Sequence, residues 1–239
     1  MKFLHYIKYF YFLFINWNIG IAWVMIWQEV KGEKKYGINT TGADELYKLE
    51  KQGIDISHAT IYMPVSYTLL EEIFEQLDFP NHKQQTKNLP TGQAGNKPQT
   101  HFLDIGCGKG RALCLAAHQG FKKVTGLDFA RDLCEAAKEN LAITKQKIPL
   151  LEYKVINNDA FYFKIPEDVD CIFLFNPFDE IIMSAVVNNI FTSLQNNPNK
   201  IKIIYVNPLH KELFLKAGFK EIWYSKKMKY LEASILENK

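Results

Sequence analysis

From His101 to the C-terminus, short runs rich in β-branched and aromatic residues alternate with longer segments whose apolar residues recur at helical spacing. HFLDI leads to KGRALCLAAHQG, KKVTGLD to ARDLCEAAKENLAIT, and LEYKVIN to the loop NDAFYF; DVDCIFLF leads to DEIIMSAVVNNIFTSLQ, and KIKIIYVN to PLHKELFLKAG. Strands alternating with helices predict a parallel sheet with right-handed crossovers and helices on both faces. The tail breaks the rhythm. FKEIWYS and MKYLEASIL are two strands around a basic turn at Lys226, Lys227 and Lys229, read as an antiparallel hairpin on one sheet edge with a solvated turn.

The first strand-to-helix turn reads FLDIGCGKG, with Gly106, Gly108 and Gly110 in five residues. Such density suits a backbone that a ligand approaches closely, and in a sheet of this kind ligands bind at the carboxyl ends of the strands. A dinucleotide fingerprint would place its third glycine at 111, where the chain has Arg111. Asp104 ends the strand ahead of the loop, and a carboxylate there disfavours a pyrophosphate and favours a cationic amino-acid group. That points to S-adenosylmethionine, which carries an ammonium and a sulfonium.

Here the residues resemble a known family. FLDIGCGKG is similar to the nucleotide-loop motif of class I S-adenosylmethionine-dependent methyltransferases, and the order of segments from His101 onward agrees with it. The resemblance implies an α/β, Rossmann-like fold: a seven-stranded, mostly parallel sheet with helices on both faces and a C-terminal antiparallel hairpin, preceded by N-terminal helices. It places cofactor contacts at Asp104, Gly106, Cys107, Gly108 and Gly110. In GLDF it gives Asp128 the ribose hydroxyls, with Phe129 beside it, and a carboxylate can accept two hydrogen bonds from a diol. In NNDAF it gives Asp159 the adenine amino group, with Asn158 and Ala160 adding backbone contact.

FLFNPFDE, after the fourth strand, resembles the [D/N]-P-P-[Y/F/W] motif of methyltransferases that modify nitrogen, with one proline missing. Asn176, Pro177 and Phe178 are therefore the candidate catalytic residues, Asn176 orienting the acceptor nitrogen. YMPVS, ahead of an amphipathic helix, resembles a Y-x-P-[S/T] element of small lysine methyltransferases that have an N-terminal hydrophobic segment; Tyr62 and Pro64 would be lid residues over the cofactor. An aromatic channel of Phe175, Phe178 and Tyr62 would then desolvate a lysine acceptor. The expected function is methyl transfer to nitrogen, a protein lysine first. A non-catalytic cofactor-binding module, or a small-molecule or nucleic-acid acceptor, stays open.

Residues 9–28 carry no charge for twenty positions, enough for a helix to cross a bilayer core, with Tyr6, Tyr9 and Tyr11 toward one end and Trp23 and Trp27 toward the other. Asn16, Trp17, Asn18 and Gly20 at the centre weaken insertion. The stretch is expected as one hydrophobic helix over about residues 3–30, either anchoring the protein to a membrane or packing on the domain or a partner. The catalytic side is expected in the cytoplasm. Residues 1–79 thus form an N-terminal extension, with cofactor-covering helices in 40–78. The polar, Pro- and Gly-rich 80–100 forms a flexible linker, and 101–239 the methyltransferase domain.

Composition narrows the rest. A 47 % hydrophobic content suits a packed core, and 29 basic against 26 acidic residues, net +3, gives no nucleic-acid footprint. Cys107, Cys114, Cys134 and Cys171 have no C-x-x-C pairing, and the histidines have no metal spacing, so reduced, mostly buried thiols and no metal are expected.

Overall fold

The computed structural model describes residues 2–16, 18–42, 64–77, 100–227 and 231–238. Of the stretch 40–78 expected to hold cofactor-covering helices, residues 43–63, with Tyr62, and 78 lie outside these, as does the 80–99 part of the expected linker; Thr40, Thr41 and Gly42 are described and are not helical.

The alternation resolves into β1 (His101–Ile105), α4 (Arg111–His118), β2 (Lys123–Asp128), α5 (Arg131–Lys147), β3 (Glu152–Asn157), β4 (Cys171–Phe175), α6 (Glu180–Asn196), β5 (Lys202–Val206), α7 (Lys211–Lys216), β6 (Lys220–Lys227) and β7 (Leu231–Glu237). Ahead of them lie α1 (Lys2–Asn16), α2 (Ile19–Tyr36) and α3 (Tyr67–Glu75), and a 3₁₀ turn at Ala160–Tyr162 follows β3. The strands form one seven-stranded sheet in the order β3-β2-β1-β4-β5-β7-β6. β1 to β5 are parallel; β7 enters antiparallel beside β5 and β6 closes the edge. The Rossmann-like plan with its C-terminal hairpin is present as expected.

The strand alternation divides the core in two. Phe102, Val124, Phe173, Ile204 and Ile235 point to the face covered by α3, α4 and α5, while Leu103, Ile105, Leu127, Ile172, Ile203 and Tyr205 point to the face covered by α6. Tyr36, Ile38 and Val65 belong to the first of these clusters, so the end of α2 and the start of α3 are welded to the sheet domain. All four cysteines are buried free thiols.

One expectation fails. The apolar stretch is not a single helix over about 3–30 but two helices packed as a hairpin, broken between Asn16 and Asn18. Asn16 turns its side-chain amide back onto the Phe12 carbonyl (2.8 Å), and Asn18 caps α2 by accepting from the Ile21 N–H (2.9 Å). Polar groups at the centre of the stretch therefore end one helix and start the next. No helix among the described residues is long and apolar enough to cross a membrane.

Candidate active site

The strand order reverses direction between β1 and β4, and the loops leaving these two strands meet there. Gly106, with φ +83°, lies against the N-P-F segment so closely that a Cβ on it would stand 2.6 Å from Pro177 Cβ. Such a reversal is where open α/β sheets bind their ligands. The glycine is required by the packing of one loop on the other, and the φ value adds a second reason.

The rest of the glycine loop is held by hydrogen bonds. The Gly106 and Cys107 N–H groups donate to the Leu127 carbonyl (2.8 and 3.0 Å), and Gly110 N–H to Cys107 C=O (2.8 Å). Cys107 is buried in the first core cluster, and its sulfur lies close enough to Gly126 that a side chain there would strike it. Its thiol is thus a packing group, and only its backbone belongs to the loop. Gly110 sits over Ala137 of α5, where a Cβ would lie 3.1 Å from that methyl.

Two carboxylates stand at the strand ends. Asp128 is 6 % exposed; one of its oxygens accepts from Gly108 N–H (2.8 Å) and the other from Ala130 N–H (2.9 Å). It braces the loop from the neighbouring strand, with lone pairs left over for a diol. Asp104 is 2 % exposed and, among the described residues, accepts no hydrogen bond. Burial, and then the charge of Asp128, push its carboxyl well above the usual range. A buried acid left in that state beside a glycine loop suits a cationic ligand, and the site's donor set fits the ammonium of S-adenosylmethionine.

The third turn is anchored to the second. Asn158 N–H donates to Asp128 C=O (3.1 Å), and Asn157 Nδ2 donates to the carbonyls of Asp128 (3.0 Å) and Phe129 (2.7 Å). Asp159 is exposed and caps the 3₁₀ turn by accepting from Phe161 N–H (2.8 Å), while Asn158 Oδ1 accepts from Asp159 N–H (2.9 Å) and Ala160 is buried. The resemblance did not reveal Asn157; only its position at the end of β3 marks it.

In the N-P-F segment Asn176 takes a left-handed backbone, φ +36°, which is uncommon for a non-glycine residue and frequent at functional bends. The Tyr205 hydroxyl of β5 donates to its Oδ1 (3.3 Å) and accepts from His210 N–H (3.4 Å). Phe175 and Asn176 are half-buried, but Phe178 folds back into the second core cluster at 9 % exposure. Phe178 therefore supports the bend from below, and the expected aromatic channel keeps only Phe175 among the described residues.

Sequence reasoning also missed Arg111 and Asn140. Arg111, first residue of α4, is 3 % exposed and reaches Glu29, Thr40 and the Val65 carbonyl. Asn140 donates to Lys109 C=O (2.9 Å) and Asn39 C=O (3.1 Å) and accepts from Asn39 N–H (2.8 Å), tying the loop to the segment after α2.

A sheet whose switch point carries a glycine loop, a buried acid with no hydrogen-bond partner among the described residues and a second acid bracing the loop suits a cationic nucleoside cofactor. The family model described as a methyltransferase domain matches residues 102–197, and this part of the chain is a methyltransferase domain of the class I S-adenosylmethionine-dependent superfamily. The cofactor is accordingly S-adenosylmethionine. No curated protein matched the chain. Among solved structures the chain is similar to the putative methylase HI0767 from Haemophilus influenzae (24 % identity, 59 % of this chain and 88 % of that one, TM-score 0.44). It is also similar to the PH0226 protein from Pyrococcus horikoshii OT3 (17 %, 59 % and 82 %, TM-score 0.45). A third is the ribosomal protein L11 methylase from Lactobacillus delbrueckii subsp. bulgaricus (16 %, 61 % and 73 %, TM-score 0.44).

Proposed function

We propose that the domain transfers a methyl group to a nitrogen acceptor, and that the acceptor is a lysine side chain of a protein. The observation that supports this reading is Asn176: a left-handed bend directly beyond β4, next to the residue that packs on the glycine loop, with its side-chain oxygen already oriented by a buried tyrosine.

S-adenosylmethionine supplies a methyl group on a sulfonium, and the departing sulfur needs no proton. What the chain must do is bind, orient and desolvate. Asp104 would hold the cationic end of the cofactor and Asp128 its ribose, with the glycine backbone allowing close approach. Asn176 Oδ1, which the Tyr205 hydroxyl bonds, would accept an N–H of the acceptor amine, turning its lone pair toward the cleft. A lysine must first lose a proton to solvent, and half-buried Phe175 beside Asn176 lowers the amine's pKa by reducing hydration of the ammonium. Orientation of this kind contributes up to about 7 to 11 kcal/mol of barrier reduction. The missing second proline favours a flexible amine over a flat base held edge-on.

The test is incubation of the full chain and methyl-labelled cofactor with soluble and membrane fractions of cell extract. Label in protein that hydrolyses to methyl-lysine is the expected result. Label in nucleic acid or in small molecules would exclude a lysine acceptor, and cofactor binding without transfer in any fraction would leave a non-catalytic binding module.

A further inference from the structure

The α1–α2 hairpin leaves large apolar side chains in solvent, in stripes at helical spacing. Ile7, Tyr11, Phe14 and Ile15 line α1, and Ile19, Trp23, Trp27 and Val30 line α2; Tyr11 and Trp23 are each 63 % exposed. A contiguous apolar surface of this kind marks an interaction site. Between the two helices Tyr9, Leu13 and Ala22 are buried, with Phe10, Phe12, Met25 and Ile26 packed against them.

Charge is distributed unevenly along the hairpin. The Tyr6 hydroxyl donates to Glu33 (2.6 Å), which puts the start of α1 beside the end of α2 and the Asn16–Asn18 break at the far tip. The two acids of the hairpin, Glu29 and Glu33, are buried at 1 % and 5 % exposure, Glu29 against Arg111 of the domain and Glu33 against Thr40 and Thr41. At the same base Lys8, Lys31 and Lys34 are exposed, and Lys31 lies over the Trp27 ring at 4.9 Å. Toward the tip there is no charge at all between residues 9 and 28. The surface of the hairpin is therefore uncharged at its tip, aromatic at mid-height and cationic at its base.

The dimensions select the occupant. The charge-free arms, residues 9–16 and 19–28, are about 12 and 15 Å long at 1.5 Å per residue. That is no more than half of a bilayer core of about 30 Å. The side chains of Asn16 and Asn18 are bonded within the hairpin, which lowers the cost of moving the tip out of water. We propose that this hairpin inserts its tip into one leaflet of an anionic phospholipid bilayer, with Trp23 and Trp27 at the interface and Lys8, Lys31 and Lys34 at the headgroups. The methyltransferase domain is thereby held on the membrane surface without a spanning helix.

The experiment uses the full chain with vesicles of phosphatidylcholine alone or mixed with phosphatidylserine, read by co-flotation and by quenching of tryptophan fluorescence with bromine-labelled lipids. Binding stronger on the phosphatidylserine vesicles, weakened by salt and accompanied by quenching, is expected. Ile15→Glu and Ile19→Glu should each lower the partition by about tenfold or more, because each removes an exposed isoleucine from the inserted surface. Lys31→Gln and Lys34→Gln should each lower it about fivefold on anionic vesicles only. Unchanged circular dichroism and cofactor titration verify that the variants fold. Failure to co-float overturns the proposal. So does a dimer in solution that Ile15→Glu dissociates, which would make a second copy the occupant, and so does partition that ignores all four substitutions.

Discussion

Arg111, at the first turn after the glycine loop, forms a buried two-pronged ion pair with Glu29 of α2, its Nη1 donating to Oε1 at 2.8 Å and its Nη2 to Oε2. The guanidinium also stacks on the Tyr67 ring at 4.0 Å, and Glu33 beside Glu29 accepts from the N–H groups of Thr40 and Thr41 (2.7 Å each). The N-terminal hairpin and the cofactor loop are joined through these groups.

Breaking that pair from one side should cost more than removing it. Glu29→Ala leaves a buried guanidinium without its counter-charge and should destabilise the chain by about 3 to 5 kcal/mol, whereas Glu29→Met with Arg111→Met should recover much of the loss. Urea denaturation of the two single variants and the double variant measures the coupling. A strictly additive result would show that the pair is not a unit.

Much of this architecture was legible, and the reason is local. Strand and helix periods from His101 onward alternate within windows of a few residues, so order and type could be read directly, and the glycine loop announced its position by composition. The failures are non-local or cancel in an average. Glu29 is 82 positions from Arg111, and no pattern within either segment links them. The break at Asn16–Asn18 is hidden in a run whose mean apolarity looks like one helix, because two side chains satisfy the freed backbone groups. Phe178 has the motif's aromatic character, yet the sheet face beneath it takes the ring into the core.

Asp104 sets a balance between stability and binding. Its folded-state pKa is raised, so the cofactor-free protein gains stability as pH falls through that folded value toward the ordinary carboxylate range, and above that folded value it carries the cost of a buried charge. Asp104→Asn should raise the unfolding midpoint of the cofactor-free protein and flatten its pH dependence above the ordinary carboxylate range. The same change should weaken S-adenosylmethionine binding tenfold or more, about 1.4 kcal/mol. Thermal unfolding across pH, paired with calorimetric titration, checks both signs.

His101 contributes the opposite slope. Its ring lies between Asp168 (3.0 Å) and Thr125 (2.8 Å), with Lys123 and Asp170 also near, and burial pushes its pKa down despite the acids. The unfolded state then binds the proton more tightly, so stability should fall as pH drops below about 6.5. His101→Gln should remove that part of the slope in melting curves, and an unchanged slope would assign it elsewhere.

Gly106→Ala tests the contact between the two loops. The methyl would enter at φ +83°, 2.6 Å from Pro177 Cβ, so a loss of about 1 to 3 kcal/mol is expected, together with weaker cofactor binding. Pro177→Gly in the same chain should relieve the clash but not the backbone strain, restoring part of the stability by urea denaturation. No restoration would place the cost in the backbone alone.

Asn176 and Tyr205 carry the distinction between positioning an acceptor and holding a cofactor. Asn176→Ala removes the side-chain oxygen, and if that oxygen orients the acceptor nitrogen, turnover should fall by about a hundredfold or more while cofactor affinity changes little. Its left-handed backbone favours Asn over Ala, so Asn176→Gly and Asn176→Asp separate strain from chemistry: Gly relieves the strain yet lacks the oxygen, and Asp retains an acceptor. Tyr205→Phe removes the hydroxyl that bonds Asn176 Oδ1 and should lower kcat by a smaller factor, with KM for the cofactor unchanged. A parallel loss of cofactor affinity in Asn176→Ala would make it a cofactor ligand. Full turnover in both Asn176→Gly and Tyr205→Phe would reduce the N-P-F segment to a strand-ending turn, and the acceptor would then be oriented by other residues of the cleft.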